Sequence, residues 1–212
     1  MSWTVLVVAT LNAMLINNVI LSQFLGVCPF LGVSKKASSA VGMSGAVMFV
    51  MIVSSLVTYT IYALVLVPFG ITYIQTIAFI LVIASLVQLV EILIKKFSEG
   101  LYKSLGIYLP LITTNCAILG VAEGNISSIY SADITFISGL TTAGFTAVGT
   151  ALGFGLVMFA FSSIRERLEA ADMSEAWKGI PISLVTAGIM SIAFLGLKGI
   201  LRYCKCHLHL IA

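Results

Sequence analysis

Charged residues are scarce in this chain and absent from long stretches of it. Only 9% of the 212 residues are Asp, Glu, Lys or Arg, whereas 60% are hydrophobic. No charged residue occurs in residues 1–34 or in residues 37–90. Soluble proteins carry about 25% charged residues, and roughly 18 consecutive apolar residues already indicate a transmembrane helix. The composition therefore excludes a soluble globular protein and predicts an all-α polytopic membrane protein.

The small positive net charge of +3 gives no indication of nucleic-acid binding, because eight of the eleven basic residues lie in short connections. Six hydrophobic segments are predicted, at residues 3–27, 39–66, 71–94, 104–121, 134–162 and 179–201. Basic residues follow the first, third and fifth segments: Lys35, Lys36, Lys95, Lys96, Lys103, Arg165, Arg167 and Lys178. The other two connections, with Pro68 to Gly70 and with Glu123 and Asp133, have none. The positive-inside rule then predicts that both termini lie outside.

Cysteine is also rare, and two of the four cysteines occur in a repeated phrase. Cys28 and Cys116 each begin the pattern Cys-x-x-Leu-Gly-Val, 88 residues and three hydrophobic segments apart. Three spans followed by three equivalent spans form an inverted-topology repeat, in which broken helices commonly meet near the membrane midplane. We therefore expect a first repeat at residues 1–98, a second at residues 99–202 and a tail at residues 203–212.

Both cysteine segments carry helix-breaking residues. The uncharged stretch ending at Val33 is too long for one span, and Gly26, Pro29 and Gly32 favour an interruption in its second half. In the fourth segment, Pro110 and Gly120 flank a polar Thr-Thr-Asn at residues 113–115. Broken helices need partners for the freed backbone groups. The candidates are polar side chains before each cysteine: Asn17, Asn18, Ser22, Gln23, Thr113, Thr114 and Asn115.

Two converging thiols provide only part of a metal site. A zinc ion requires four ligands, and a [2Fe–2S] cluster requires four cysteines, so a partner of the same architecture would have to supply two. The alternative for each thiol is a structural cysteine. No ionisable residue is expected near the middle of a span, which favours an electron relay over a proton pump. The terminal group Cys204, Cys206, His207 and His209 is interpreted as an unstructured tail rather than a metal site.

These motifs resemble the A subunit of the Rnf electron-transport complex. The resemblance rests on NNV at residues 17–19, FLGVCPFLGVSKK at 24–36, TIAFILVIA at 76–84, LGIYLPLITTNCAILGV at 105–121 and IRERL at 164–168. It covers the chain to about residue 200. The sister family, the E subunit of the sodium-pumping NADH–quinone reductase, is similar, but Pro29, Gly32 and Thr114 look more like the Rnf member.

The resemblance implies a six-helix subunit of the prokaryotic cytoplasmic membrane. It implies that Cys28 and Cys116 bind the iron of a [2Fe–2S] cluster together with two cysteines of a homologous subunit of opposite orientation, the Rnf E subunit. The complex would pass electrons between ferredoxin and NAD, coupled to sodium or proton movement. FMN, riboflavin and further iron–sulfur clusters are expected on other subunits, among B, C, D and G.

Two interpretations from other classes stay open. A small secondary transporter with a midplane site would explain the repeat and the polar residues 113–115, but it would leave the matched cysteines without a role. A scaffold of a larger complex would tolerate serine at both Cys28 and Cys116.

Overall fold

A computed structural model describes residues 3–33, 37–70, 72–97, 112, 115–130, 136–169 and 179–211. Every regular element in these ranges is helical, as the composition predicted. The α-helices are α1 (Trp3–Leu11), α2 (Val27–Val33), α3 (Ala37–Ile61), α4 (Val67–Phe69), α5 (Gln75–Phe97), α6 (Cys116–Tyr130), α7 (Phe136–Glu169) and α8 (Ile180–Ile211). Two π-helical turns (Asn12–Ile16 and Tyr62–Leu66) and one 3₁₀ turn (Thr72–Ile74) connect them.

Three helical stretches are long and apolar enough to cross a membrane, and three further apolar helices are shorter. The long ones are Ala40–Phe69, Gln75–Ile92 and Phe136–Leu168; the shorter ones are Leu6–Ile16, Cys116–Ser127 and Ile180–Gly196. Each overlaps one of the six predicted segments. The apolar helices therefore support a multi-pass membrane protein.

The first segment is interrupted, as its length and glycines predicted. The helical turns end at Ile16, and α2 begins only at Val27. Gly26 takes a left-handed conformation with φ of 78°, which glycine adopts without steric cost. Pro29 is the third residue of α2, where its missing N–H costs no helical hydrogen bond. The break thus precedes Pro29 rather than following from it.

Asn18 supplies the hydrogen bonds that this break requires. Its Oδ1 accepts the backbone N–H of Ile20 at 3.1 Å, and its Nδ2 donates to the carbonyl of Gly153 at 3.0 Å. Asn18 is buried, so the side chain replaces the water that backbone groups would otherwise need. The predicted role of Asn18 is confirmed.

Small residues bring the first helix close to α7. A Cβ at Gly149 would lie 2.5 Å from the carbonyl oxygen of Thr10, and one at Gly153 would lie 2.6 Å from that of Met14. Only glycine permits this approach of two backbones. Ala143, Ala147 and Ala151 are fully buried on the same helix.

The helices pack in a reciprocal arrangement. Helix α3 packs mainly on α7, α1 packs on α7, and α6 packs on α3. A buried polar cluster joins three of them. Asn125 of α6 donates to the hydroxyl of Ser55 on α3 at 2.6 Å and accepts from the hydroxyl of Thr146 on α7 at 2.7 Å. The position of α6, which begins at Cys116, is therefore tied to the two central helices.

The exterior of the helix assembly is apolar, whereas several polar side chains are buried inside it. Large hydrophobic side chains are well exposed along α3, α5, α7 and α8, among them Phe49, Ile77, Leu81, Phe159, Ile189 and Ile192. Asn18, Asn125 and Arg165 are buried. A contiguous apolar exterior of this extent is unsuited to water and suits lipid contact.

Several predicted boundaries are wrong. Helix α6 begins at Cys116 and continues to Tyr130, so Glu123 lies within an apolar helix rather than a loop and accepts the hydroxyl of Thr76 at 2.6 Å. Arg165 and Arg167 belong to the last turns of α7. The tail, predicted to be unstructured, continues α8 to Ile211. Hydrophobicity alone does not mark where a helix begins or ends.

Candidate functional site

Both cysteines of the repeated phrase lie in the first turn of a helix. Cys28 is the second residue of α2, and Cys116 is the first residue of α6. Both side chains are exposed on this chain. The structure therefore presents the two thiols at the surface, where a second protein can approach them, and does not bury them as packing residues.

The segments that carry the two cysteines cross in direct contact. A Cβ at Gly26, two residues before Cys28, would lie 2.9 Å from Oδ1 of Asn115 and 3.0 Å from Cβ of Ala117. These two residues flank Cys116. The structure thus places the residues that flank Cys116 against the segment that leads into Cys28, at a crossing that only glycine can occupy.

A second glycine, on α6, allows close contact at the same crossing. A Cβ at Gly120 would lie 2.5 Å from Cδ1 of Leu25. Gly120 belongs to the repeated phrase, so one glycine of that phrase serves the approach of the opposite cysteine segment. Gly120 therefore has a packing role at the site.

Asn115 caps the helix that starts at Cys116. Its Oδ1 accepts the backbone N–H of Ala117 at 3.0 Å, and its carbonyl accepts that of Ile118 at 3.1 Å. Asparagine is among the preferred residues at this position because its side chain satisfies an N–H that the helix leaves unpaired. The other amide atom, Nδ2, is buried and has no hydrogen-bond partner among the described residues. Thr113 and Thr114, predicted to help here, lie outside the described residues.

Arg165 holds the far end of the Cys28 helix. Its Nη1 donates to the carbonyl of Leu31 at 2.8 Å, and the residue is only 4% exposed. A cation at a helix C-terminus also interacts favourably with the helix dipole. One turn earlier on α7, Phe161 stacks on Phe30 with ring centroids 4.0 Å apart. Together these contacts fix α2 against α7.

Sequence reasoning missed this role of Arg165, which was assigned to a cytoplasmic connection. The available signal was its spacing of four residues from Phe161, which places both on one face of a helix. That signal requires knowing that α7 continues past residue 162. The role of Asn125 in fixing α6 was also missed, because its hydrogen-bond partners lie on two other helices, α3 and α7.

Two thiols alone do not complete a metal site. Within the described part of the chain, no three His, Cys, Asp or Glu side chains are grouped closely enough to hold a metal ion. The side chains of Cys204, Cys206, His207 and His209 lie outside the described residues. The surface thiols, the crossing at Gly26 and the unpaired Nδ2 of Asn115 fit a group that is bound partly by a second protein.

Comparison with known proteins decides the family. The protein-family model described as Rnf-Nqr subunit, membrane protein, matches residues 6–201. The chain belongs to the Rnf-Nqr family. A relative from Acetobacterium woodii, the A subunit of the Na⁺-translocating ferredoxin:NAD⁺ oxidoreductase complex, is 54% identical over 194 residues, covering 92% of this chain and 97% of the relative.

Further Rnf-Nqr relatives carry a more general name. The A subunit of the ion-translocating oxidoreductase complex of Alcanivorax borkumensis is 50% identical over 196 residues, covering 92% of this chain and 97% of the relative. That of Pasteurella multocida is 50% identical over 192 residues, covering 91% and 96%. The resemblance to the Rnf family member, drawn from the cysteine motifs, is confirmed. Proteins with these names belong to multi-subunit complexes.

Proposed function

We propose that this chain is the A subunit of an ion-translocating electron-transport complex and relays electrons between ferredoxin and NAD through the membrane. The relative from Acetobacterium woodii carries that reaction in its name. The feature of this chain that carries the proposal is the crossing of the two cysteine segments with both thiols exposed. Sodium or proton translocation would be coupled to the electron transfer.

Cys28 and Cys116 supply two of the four cysteine ligands of a [2Fe–2S] cluster in this proposal. A cluster of this type requires four, and exposed thiols at a crossing suit a site completed by another chain. The partner is a homologous membrane subunit of opposite orientation, the Rnf E subunit. A cluster held by these residues would supply one-electron transfer part-way across roughly 30 Å of hydrocarbon.

The other residues of the site position the two thiols. Asn115 caps α6 directly before Cys116, and Arg165 anchors α2 beyond Cys28. Helix α6 also directs the positive end of its dipole towards Cys116, which favours the negative charge of a thiolate ligand. FMN, riboflavin and the remaining iron–sulfur clusters would be bound by other subunits, among B, C, D and G.

We propose an inverted three-plus-three repeat, with both termini outside the prokaryotic cytoplasmic membrane. The reciprocal packing of α1 on α7 and α6 on α3 supports a two-fold relation between the halves. So does the hydrogen bond from the hydroxyl of Ser55 to the carbonyl of Ala143, at 3.5 Å, because these residues are 88 apart in sequence. That is the interval between the cysteines, and equivalent residues touch where they lie on a two-fold axis.

Ion movement is proposed to follow from changes in position of the two short helices that carry the cysteines. The carboxylate of Glu123 lies near the middle of α6, whereas the sequence predicted no ionisable residue near the middle of a span. A crosslink between residues 25 and 120, which are in contact, would prevent α2 and α6 from separating. Such a variant is expected to transfer electrons without moving ions, and undiminished ion movement would contradict the coupling.

The relay is tested by ferredoxin-dependent NAD reduction in membrane vesicles from cells that carry Cys28→Ser or Cys116→Ser. The matched control is the double variant Cys204→Ser and Cys206→Ser, which alters cysteines outside the site. Immunoblots of the partner subunits show whether the complex still assembles. We expect activity to fall to the level of vesicles lacking the chain in both site variants and to persist in the control. Full activity in the site variants would instead favour a transporter or a scaffold.

A further inference from the structure

Asn115 has a hydrogen-bond donor that the described residues leave unused. Only two buried side-chain polar atoms in this part of the chain lack a partner, Oγ of Ser54 and Nδ2 of Asn115. Asn115 is 4% exposed. Buried amide groups in folded proteins almost always find an acceptor, because an unpaired one destabilises the fold. An acceptor for Nδ2 is therefore expected in the working protein.

The orientation of this amide is fixed by its other atom. Oδ1 accepts the N–H of Ala117 at 3.0 Å. Exchanging the two amide atoms would place an N–H against the N–H of Ala117, which is unfavourable. The unpaired group is thus a donor, and it cannot be removed by reassigning the side chain.

The donor lies between the two cysteine segments. Asn115 directly precedes Cys116, and Oδ1 would be 2.9 Å from a Cβ at Gly26, two residues before Cys28. Because Nδ2 has almost no accessible surface, its acceptor must come from this chain rather than from an approaching partner. Cys116 adjoins Asn115, and Cys28 lies two residues after Gly26, so each of the two segments that meet at this crossing carries one sulfur atom.

We propose that Nδ2 of Asn115 donates a hydrogen bond to a cysteine thiolate sulfur of the cluster and thereby raises its reduction potential. This inference rests on the function proposed for Cys28 and Cys116. An N–H bonded to sulfur stabilises the additional negative charge of the reduced state, so its loss makes reduction harder. Asn115 then has two separate roles. Its Oδ1 caps α6, and its Nδ2 raises the reduction potential of the cluster.

The experiment is a potentiometric titration of the purified complex, followed by electron paramagnetic resonance under anaerobic conditions. Asn115→Ser keeps an oxygen for the N–H of Ala117 but removes the amide donor. Asn115→Asp keeps Oδ1 and replaces the donor with a negative oxygen, which provides a second variant if the first fails to assemble. Ser54→Ala, which removes the other unpaired buried atom, is the control.

We expect the midpoint potential to fall in the order wild type, Asn115→Ser, Asn115→Asp, with Ser54→Ala equal to wild type. Hydrogen bonds to charged groups correspond to at least about a tenfold change in equilibrium constant, which is about 59 mV for one electron. Nitrogen hyperfine coupling from the side-chain amide should disappear in both Asn115 variants. A helix cap without contact to sulfur would change neither quantity.

The outcomes separate this inference from the function on which it rests. A wild-type signal with an unchanged potential in Asn115→Ser overturns the inference and leaves the relay intact. Absence of a [2Fe–2S] signal in the wild-type complex overturns both.

Discussion

Gly26 provides the sharpest test of the crossing between the two cysteine segments, and Gly70 is its matched control. Both residues have left-handed backbones, with φ of 78° and 66°. A side chain at Gly26 would meet Asn115 and Ala117, whereas one at Gly70 would meet nothing within 4 Å. The pair Gly26→Ala and Gly70→Ala therefore differs in crowding rather than in backbone strain.

The expected magnitudes follow from these contacts. The left-handed conformation costs a residue with a Cβ about 1–2 kcal/mol, and both variants incur that cost. At Gly26, the new methyl group would be 3.0 Å from Cβ of Ala117, which belongs to the first turn of α6 and cannot simply rotate away. Overpacking of this kind costs about 1–3 kcal/mol. Gly26→Ala is thus expected to be less stable than Gly70→Ala by about that amount.

The assay measures the thermal unfolding of the purified complex and its iron content side by side. Gly70→Ala should unfold somewhat earlier than wild type and retain all its iron. Gly26→Ala should unfold earlier still and lose iron, because Asn115 and the start of α6 are displaced beside Cys116. Equal stability and equal iron content in the two variants would refute the crossing described for residues 25–28 and 115–120.

Three further substitutions test the supports of the site. Gly153→Ala should separate the first helix from α7 and destabilise by about 1–3 kcal/mol, whereas Gly45→Ala, in an open part of α3, should be neutral or stabilise by up to about 1 kcal/mol; similar unfolding temperatures would contradict the close approach. Arg165→Met should lower stability by about 1.5–3 kcal/mol and reduce bound iron, and the exposed Arg167→Met should do neither; equal iron in both would exclude anchoring of α2 by Arg165. Asn125→Ala should destabilise by about 1–3 kcal/mol, because it removes the side-chain hydrogen bonds to Ser55 and Thr146; unchanged denaturation would count against the polar cluster.

The sequence predicted those parts of the site that depend on local pattern. The matched phrases at Cys28 and Cys116 and the break near Gly26 follow from residue type and spacing. Each is a property of the backbone or of one helix face, and such properties can be recognised from the types of a few neighbouring residues. The helical class and the membrane environment follow from the uncharged runs in the same way.

The parts that were missed depend on contacts between distant residues. Arg165 resembles a topology-setting charge until the carbonyl of Leu31, 134 residues away in sequence, is found beside it. The second function proposed for Asn115 depends on Gly26, which lies on another segment. Glu123 was assigned to a loop because hydrophobicity falls there, although α6 continues to Tyr130. No local sequence pattern indicates which part of the protein the end of a helix contacts.

Because of Glu123, the origin of ion selectivity should be tested on this chain as well as on its partner subunits. Its carboxylate accepts the hydroxyl of Thr76, which ties α6 to α5. A carboxylate in an apolar helix of a membrane protein often marks an ion or proton pathway. The changes in position proposed for α2 and α6 would move Glu123 and Thr76 together with the Cys116 segment.

The central claim is that Cys28 and Cys116 bind the iron of a cluster shared with a second protein chain. It is tested most directly by iron analysis and electron paramagnetic resonance of the anaerobically purified complex, with Cys28→Ser and Cys116→Ser compared with wild type. The account predicts a reduced [2Fe–2S] signal in wild type that is lost in both variants while the partner subunits still co-purify. A signal of undiminished intensity in either variant would contradict it, because the cluster would then be bound elsewhere.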